Sequence, residues 1–537
     1  MNTYIFVKRY INEKILFVLF ILLSVVLAII GMVIPYITGA FIDFLVYLKG
    51  KDDLFRYCMF YSVICVLSVV INFALSRISM IIVKKAVYAL QIDVIKTLEK
   101  TYILKVEYDS SAELSQKISY DSNALLNFFV GSIQNIILNV VLLIGPTIFL
   151  IKFNYKIALS LILLAVIYFF IYKLFKSKLM NANFKVKEHE ASYFAELNCR
   201  ITKLSFIKNN AIYNFFDERL NKVFACMYRF SLDLQAINYL FFSLDKIIVM
   251  VSQIILFAYG GMQILDGSLT VGRFTVISTY FTMIISSIRY FFGYGKEYQE
   301  IEVSKNRIFK ILKNTKEEFG HIKCDKINSL EIIGADFEYN LGKKIFSNFS
   351  YKFLTGYIYI LRGANGAGKS TLLKILSTLF YNIDSGVIRI NGVLLDLYDL
   401  DYLRRNRFGV LEQSPVFVDG SIRENLFTEN IDYVLLEKLR EILNLNEFMQ
   451  FLNNDIDMVV KEKEKKLSGG EKQKIALLRT LLKKSDVLIL DEPSSSIDEM
   501  TKIEMIKYLK EIKKDKIIII STHDGSFYDL GDYFIEI

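Results

Sequence analysis

The segment at residues 363–370, GANGAGKS, has the residue types and spacing to hold the phosphates of a nucleotide. Its glycines let backbone N–H groups close around phosphate oxygens at the start of a helix, its lysine can reach the β- and γ-phosphates, and its serine can ligate Mg²⁺. An apolar run precedes the segment and a helix-forming run follows it, which is the context that such a loop requires. The sequence therefore predicts ATP-binding residues at Gly363, Ala364, Asn365, Gly366, Ala367, Gly368, Lys369, Ser370 and Thr371.

Two adjacent carboxylates end the apolar run DVLILDEP at residues 486–493. Such a run is typical of a strand buried in a parallel sheet, and ligands gather beyond the carboxyl ends of these strands. Neighbouring side chains point in different directions, so Asp491 is predicted to hold Mg²⁺ and Glu492 to deprotonate the water that attacks the γ-phosphate. The alternative is a solvated acidic turn.

A second apolar run, KIIIISTHD, ends at His523. A lone histidine is usually structural, but a place at a strand end in a nucleotide fold favours a γ-phosphate contact. The predicted catalytic residues are therefore Glu492 and His523.

A third feature is the sequence KLSGGEKQK at residues 466–474, where Ser468 and two glycine amides could form a nest for an anion at a helix N-terminus. Together with the phosphate loop, this segment resembles the ABC transporters, and in particular exporter-type half-transporters that fuse one membrane domain to one ATPase domain. The resemblance implies that the segment covers the ATP held by a facing subunit, so two chains are needed for each site. The residues assigned to ATP binding in trans are Ser468, Gly469, Gly470, Glu471 and Asp498.

The resemblance also adds two residues to the nucleotide site. Tyr339, in ADFEY, matches the aromatic residue that stacks on adenine, with a place in a strand core as the alternative. Gln413, in LEQSPVF, matches the glutamine that touches Mg²⁺ and connects the nucleotide site to the membrane helices. The implied cofactors are ATP and Mg²⁺, and the implied Mg²⁺ ligands are Ser370, Gln413 and Asp491.

Two departures from the family pattern concern affinity and coupling. Glu471 stands where Gln is usual, and a carboxylate near a triphosphate predicts weaker nucleotide affinity unless a neighbour compensates. Upstream, Glu462 of the segment that senses the coupling helices is kept, but Lys461 and Glu464 replace its usual glycines. The coupling is therefore expected to differ in detail.

The elements that must position these residues are not those of an ordinary soluble enzyme. Hydrophobic residues make up 53% of the 537 residues and are concentrated in the first half. A helix needs about 20 apolar residues to cross a bilayer, because unpaired backbone amides are costly in hydrocarbon. Six windows come near this requirement, the shorter ones with flanking lysines and arginines that can reach the interfaces. These windows are residues 15–42, 57–76, 122–151, 157–172, 247–265 and 274–288.

The predicted architecture is a multi-domain one: an all-α, six-helix transmembrane domain of the type I ABC exporter fold, followed by an α/β P-loop ATPase domain. The predicted boundaries are 1–313 for the membrane domain, 314–328 for a polar linker and 329–537 for the ATPase domain. Basic residues place the N-terminus and the connections at 77–117 and 173–246 in the cytoplasm, as extensions of the spanning helices. Pro35 and Pro146 are predicted to kink spanning helices. By resemblance, 267–272 is an outer turn, and 108–121 is a coupling region that should lie near 206–220.

The implied function is ATP hydrolysis coupled to export or flipping of an amphipathic or hydrophobic substrate, for example a bacterial peptide such as a bacteriocin, in a bacterial plasma membrane. A multidrug or lipid exporter is an alternative, and an ATP-gated channel or sensory regulator could share every motif. The expected partners are a second copy of the chain or a related half-transporter, membrane lipids and the transported substrate. The net charge of +9 is spread over membrane-flanking segments, so nucleic acid is not an expected partner. The five cysteines lack C-x-x-C spacing, which predicts neither a disulfide framework nor a zinc site.

Overall fold

The computed structural model divides the chain into two compact units. The first comprises Met1–Thr97 and Ser111–Lys313, and the second comprises Leu98–Ser110 and Asn314–Ile537. The second unit therefore includes a short piece of chain from the first half of the sequence. The residues that the structure describes are 3–46, 51–103, 114–115, 117–153, 155–313, 317, 320–339, 344–364, 366–381, 383–428, 431–446, 455–460 and 468–537.

The described part of the first unit is helical. Apolar runs form helices in lipid because a helix satisfies all of its backbone hydrogen bonds internally. The helices are α1 Thr3–Lys8, α2 Lys14–Val46, α3 Lys51–Glu99, α4 Ser122–Phe153, α5 Tyr155–Thr202, α6 Leu204–Asn210, α7 Tyr213–Leu265 and α8 Val271–Leu312, with a short π-helix at Lys117–Asp121. Among the described residues, α2, α3, α4, α7 and α8 are long and apolar enough to cross a membrane. The remaining predicted window, 157–172, lies within α5.

Several of these helices are much longer than a bilayer is thick. The helices α3, α5 and α7 contain 49, 48 and 53 residues. At about 1.5 Å per residue each is roughly 70–80 Å long, whereas the hydrocarbon core is about 30 Å thick. The helices therefore continue into water. Pro35 and Pro146 lie inside α2 and α4 without ending either helix.

The turn between α7 and α8 is held to the far end of α2. Thr270 caps α8 by accepting a hydrogen bond from the Arg273 N–H. The Asp43 carboxylate of α2 accepts hydrogen bonds from the Thr270 hydroxyl and from the Gly272 N–H, each at 2.7 Å. The carboxylate sits at a helix N-terminus, where negative charge is favourable. Gly272 also allows close packing, because a Cβ there would lie 2.0 Å from the Gly39 carbonyl oxygen.

The second unit is built on a parallel sheet. Its strand order is β11–β3–β10–β9–β6, and every neighbouring pair runs parallel. Strands β9 and β10 are buried along their whole length, which explains why both are continuous apolar runs. The strands of this sheet are β3 Ile358–Arg362, β6 Phe408–Leu411, β9 Val487–Asp491, β10 Ile517–Ser521 and β11 Tyr533–Glu536.

Two smaller sheets and a set of α-helices make up most of the rest of the described part of this unit. An antiparallel sheet has the order β2–β1–β4–β5, and β7 pairs with β8. Its strands are β1 Ser329–Glu338, β2 Lys344–Leu354, β4 Ser385–Ile390, β5 Val393–Leu394, β7 Gly420–Ser421 and β8 Val459–Val460. The helices are α9 Lys369–Leu376, α10 Leu400–Asn406, α11 Ile422–Asn425, α12 Tyr433–Ile442, α13 Gly469–Leu482 and α14 Glu499–Ile512.

Candidate active site

Strand register brings the predicted catalytic segments to one edge of the parallel sheet. Ser521, the last residue of β10, lies beside Asp491 of β9 and beside Leu361 of β3. The segments that follow β3, β9 and β10 therefore leave the sheet side by side. The phosphate loop, the paired carboxylates and His523 all lie on these segments. This is the edge at which ligands bind in open parallel sheets.

The phosphate loop has the backbone that its glycines predict. Gly363 and Gly368 have φ angles of +156° and +112°, and Gly368 is the N-cap of α9. A Cβ at Gly368 would lie 2.6 Å from Ile345 Cγ2. Ser370 is exposed in the first turn of α9. The loop residues Ala364, Gly366 and Ala367 lie between the strand and the helix, whereas Asn365 is outside the described residues.

Lys369 is buried, with 8% of its surface exposed, and its ammonium group lies over the loop. Its Nζ donates to the carbonyl oxygens of Gly363 at 2.7 Å and Ala364 at 3.2 Å. The same Nζ lies 3.1 Å from His523 Nε2. His523 Nε2 is in turn 3.9 Å from Glu492 Oε1. A cation, an imidazole and a carboxylate thus meet at the mouth of the loop.

The backbone of Glu492 is held in an unusual conformation. Its φ angle is +50°, a left-handed value that costs energy for a residue with a side chain. Its N–H donates to the Ser521 carbonyl at 2.8 Å, and its own carbonyl accepts from Gln473 Nε2 at 3.3 Å. These bonds aim the carboxylate. Gln473 was not predicted from the sequence, although a buried Gln on an otherwise apolar helix face is a signal that could have found it.

The oxygen-bearing side chains at this edge fit a magnesium ion. Mg²⁺ prefers oxygen ligands and usually keeps several waters. Asp491 is 8% exposed at the end of β9, and Ser521 Oγ beside it is buried without a hydrogen-bond partner among the described residues. Gln413 is exposed two residues beyond β6, which lies next to β9. Asp491, Ser370 and Gln413 remain the predicted ligands of this ion, which would supply positive charge against the β- and γ-phosphates.

Tyr339 lies one residue beyond β1 and is partly packed into the protein. Its ring contacts Phe337 and Phe380 edge to face, with centroid distances of 5.3 and 5.9 Å. Its hydroxyl lies 3.1 Å from Thr371 Oγ1 of α9. The residue is 37% exposed, so part of its surface remains accessible to an adenine ring. The contact with Thr371 links the tyrosine to the phosphate-loop helix.

Ser468 begins α13 with a capping box. Its hydroxyl oxygen accepts a hydrogen bond from the Glu471 N–H at 3.2 Å, and its own N–H donates to Glu471 Oε2 at 2.6 Å. The Glu471 carboxylate is therefore used within the helix cap. The Ser468 hydroxyl accepts in this arrangement, so its hydrogen remains able to donate to a phosphate oxygen. Ser468 and Gly469 are exposed at the N-terminus of α13.

This geometry predicts a mild effect for Glu471→Gln. The Gln side-chain oxygen can still accept from the Ser468 N–H, so the cap is kept. Loss of one screened charge near a triphosphate is worth about 1 kcal/mol. We therefore expect the Kd for ATP to tighten by less than about fivefold, as measured by equilibrium binding. Tightening by more than about tenfold would show that the carboxylate acts mainly on the nucleotide.

The two glycines of this segment differ in their surroundings. A Cβ at Gly470 would lie 2.5 Å from the Ser496 carbonyl oxygen, whereas a Cβ at Gly469 would meet only Ser496 Oγ at 4.0 Å. Overpacking against backbone typically costs about 1–3 kcal/mol. Gly470→Ala is therefore expected to lower the melting temperature of the protein, and Gly469→Ala is its matched control. Equal melting temperatures in a thermal unfolding assay would contradict this packing.

Asp498 caps α14 within its own chain. Its carboxylate accepts hydrogen bonds from the Thr501 N–H at 2.9 Å and from Lys474 Nζ at 2.6 Å. Burial acts to raise the pKa of Asp498, but the bonds from Lys474 and Thr501 outweigh it and hold the pKa well below its usual range. The carboxylate thus joins α14 to α13. A role across a dimer remains a prediction, and the predicted coupling residues 461, 462 and 464 lie outside the described residues.

Comparison with known proteins identifies the family. A family model described as "ABC transporter transmembrane region" matches residues 17–288, which is half of the chain, and the model "ABC transporter" matches residues 346–495. The chain belongs to the ABC transporter family. The predicted family is confirmed, as is the fold class of a helical transmembrane region followed by an α/β ATPase domain. This ABC transporter is a multi-pass membrane protein.

Relatives of this ABC transporter include proteins named for lipid flipping. The ATP-dependent lipid A-core flippases of Haemophilus influenzae and Pasteurella multocida are each 28% identical to it, over 333 and 285 residues. These matches cover 60% and 51% of the chain and 56% and 48% of the relatives. The yeast "ATP-dependent permease MDL2, mitochondrial" is 27% identical over 326 residues, covering 55% of the chain and 41% of the relative. The chain thus spans about half the length of these relatives.

A solved structure shares the fold. It is titled "Structure of a bacterial Atm1-family ABC exporter with ATP bound", and it matches with a TM-score of 0.83 over 98% of this chain and 94% of that one. The two sequences are 18% identical, so the likeness concerns the fold alone.

Proposed function

We propose that this chain is one half of an ATP-driven exporter or flippase that moves an amphipathic or hydrophobic substrate. The observation that carries the proposal is the meeting of Lys369, Glu492 and His523 at one sheet edge, on a chain that also presents Ser468 at an exposed helix N-terminus. The first set can bind and hydrolyse ATP. The second is an anion-binding group, suited to the nucleotide of a facing subunit.

In this proposal Glu492 takes the proton from the attacking water. Lys369 holds the β- and γ-phosphates, and His523, within 3.9 Å of the Glu492 carboxylate, contacts the γ-phosphate and the water. Negative charge that develops during transfer is balanced by Lys369 and by the donors of the facing Ser468 and Gly469. Closure of two subunits around ATP favours one conformation of the membrane helices, and hydrolysis releases it.

The proposed partner is a second copy of the chain or a related half-transporter. The helices α5 and α7 pack on each other in the first unit. Their predicted cytoplasmic parts and α6 carry exposed large apolar side chains, and such patches mark protein contacts. These side chains are Phe194, Leu204, Phe206, Phe215, Phe224 and Tyr228, each more than 40% exposed. A dimer would bury some of this surface and complete two ATP sites.

For the substrate, we propose a lipid-like amphiphile. Two of the relatives named above are called lipid A-core flippases, and their matches cover about half of each protein. None of the relatives named above carries a peptide in its name, and a bacteriocin is not supported. A multidrug exporter would use the same ATPase cycle, and the test below distinguishes it from a lipid flippase.

The test uses purified protein in liposomes that contain a fluorescent, headgroup-labelled lipid. In vesicles whose ATPase domains face outward, ATP is expected to lower the fraction of label that membrane-impermeant dithionite bleaches. The same protein is assayed for stimulation of ATP hydrolysis by lipids, drugs and peptides. Lipid movement that continues unchanged in Glu492→Gln would indicate a channel or scramblase, and stimulation by drugs or peptides alone would reassign the substrate.

A further inference from the structure

Arg404, on α10, lies where several segments of the second unit meet. Its guanidinium donates to both carboxylate oxygens of Glu317, at 2.8 and 3.4 Å. It also donates to the Thr378 hydroxyl oxygen at 3.2 Å and to the Thr378 carbonyl at 2.6 Å. The carbonyl of Arg404 accepts from Lys483 Nζ at 2.6 Å. One side chain and its backbone thus join three other segments.

Two of these segments end the helices whose beginnings form the proposed ATP site. Thr378 follows α9, the phosphate-loop helix, and is buried with a left-handed φ of +65°. Lys483 is the C-cap of α13, the helix that Ser468 begins. A shift of either helix along its axis would therefore displace a hydrogen-bond partner of Arg404. The left-handed φ of Thr378 is a strained conformation that surrounding contacts must maintain.

The third segment leads to the membrane helices. Glu317 has 6% of its side chain exposed, and its backbone N–H donates to the Lys100 carbonyl at 2.6 Å. Lys100 directly follows Glu99, the last residue of α3. The same segment makes a second contact within the second unit. The ring centroid of Tyr102 lies 5.1 Å from that of Tyr381, which follows Thr378 in the loop after α9. The segment that directly follows α3 thus contacts Glu317 through Lys100 and the loop after α9 through Tyr102.

We propose that Glu317 and Arg404 are positioning residues that carry the nucleotide state of α9 and α13 to the end of α3. We call Lys100, Glu317, Thr378 and Arg404 the Arg404 clamp. The inference rests on the proposed function, since it assumes that ATP moves the ATPase helices. A bidentate Arg–carboxylate pair with a buried carboxylate and a partly buried guanidinium holds its geometry, because removal of the arginine would leave the Glu317 charge desolvated and unpaired. A displacement of α9 or α13 would therefore move the Arg404 clamp as a unit, and with it the end of α3.

The test measures two quantities in each variant: the rate of ATP hydrolysis, and the ATP-dependent change in cysteine labelling at the turn between α7 and α8. The five cysteines, all within the described residues, are unpaired and are replaced by serine. Ser268, exposed in the turn between α7 and α8, is changed to cysteine. Its maleimide labelling rate is measured with Mg-ATP and vanadate and without nucleotide. The clamp variants are Glu317→Gln and Arg404→Lys, which keep approximate size but break the bidentate pair.

We expect the ATP-dependent change in labelling to fall by about fivefold or more in each clamp variant, since allosteric couplings usually exceed this factor. ATP hydrolysis should stay within about twofold of the parent rate. The double variant should lose no more of the ATP-dependent labelling change than either single variant, because both substitutions break the same pair. The matched control is Glu511→Gln, which breaks an exposed pair with Lys438, whose Nζ lies 2.9 and 3.1 Å from the carboxylate oxygens. Glu511→Gln should change neither the labelling response nor the rate of ATP hydrolysis.

Two results would overturn the clamp. One is a labelling change at the parent level in both variants. The other is a loss of ATP hydrolysis in proportion to the loss of labelling change, because the pair would then serve only the stability of the ATPase unit. Failure of the proposed function is a different result: the parent protein itself would show no hydrolysis, or no labelling change with ATP.

Discussion

Glu492→Gln is expected to abolish ATP hydrolysis while ATP binding survives. Glutamine has nearly the same size but cannot accept the proton of the attacking water. The groups that hold the nucleotide remain, because Lys369 is fixed over the loop by the Gly363 and Ala364 carbonyls. Loss of a general base usually costs a factor of about 10²–10⁴ in rate. We expect a loss in this range in a phosphate-release assay, with Kd for ATP changed by no more than about twofold.

The same variant should accumulate the closed dimer, because nothing then removes the γ-phosphate that holds the subunits together. Glu504→Gln is the matched control, since Glu504 is an exposed carboxylate on α14 whose ion pair among the described residues is with Lys507 of the same helix, at 2.6 Å. It should hydrolyse ATP at the parent rate. Hydrolysis at the parent rate in Glu492→Gln would remove Glu492 as the base.

Ser468→Arg is expected to prevent closure of the dimer without disturbing the phosphate loop of its own chain. The side chain is exposed, so an arginine can be accommodated in a single subunit, but its bulk would meet the facing nucleotide. We expect hydrolysis to fall by about 10²-fold or more, the size of effect seen when a transition-state donor is lost. ATP binding by the phosphate loop should remain. Hydrolysis is measured by phosphate release, and ATP binding is measured by equilibrium binding.

Helix capping must be separated from phosphate contact in this test. Ser468→Asp keeps a good N-cap but directs a carboxylate at the triphosphate, so it should also lose activity. The structure provides a second capping box, Ser421 with Glu424 at the start of α11, which is not a predicted nucleotide contact. Ser421→Ala should cost about 1 kcal/mol of stability and leave hydrolysis largely intact. Undiminished hydrolysis in both Ser468 variants would contradict the shared site.

The parts of the site that follow from local pattern could be predicted from the sequence. A fully buried strand must be apolar throughout, so DVLIL and IIII identified β9 and β10, and parallel strands bring their carboxyl ends to one edge. The membrane helices were predictable for a similar reason, because hydrocarbon requires long apolar helices. The confirmed fold class rests on these two constraints, whereas the confirmed family was predicted from the phosphate loop and the KLSGGEKQK segment. The assignments of individual site residues remain predictions.

Contacts that depend on tertiary geometry could not be predicted. The direction of the Glu471 carboxylate depends on the backbone at the start of α13, where it bonds to the Ser468 N–H. The pair of Glu317 and Arg404 joins positions 87 residues apart, and no local pattern specifies it. Likewise, the described residues 98–103 lie in the second unit although they precede most of the membrane helices. Side-chain pairing across such distances is set by packing and not by periodicity.

The central claim is that each ATP site takes its phosphate loop from one chain and Ser468 from the other. The most direct test prepares mixed dimers of Glu492→Gln chains and counts the ATP molecules they occlude. In one dimer, Lys369→Ala and Ser468→Arg are on different chains; in the other, both are on the same chain. A shared site predicts about one ATP in the first dimer and none in the second. A site contained within one chain predicts the reverse, and that result would contradict the account.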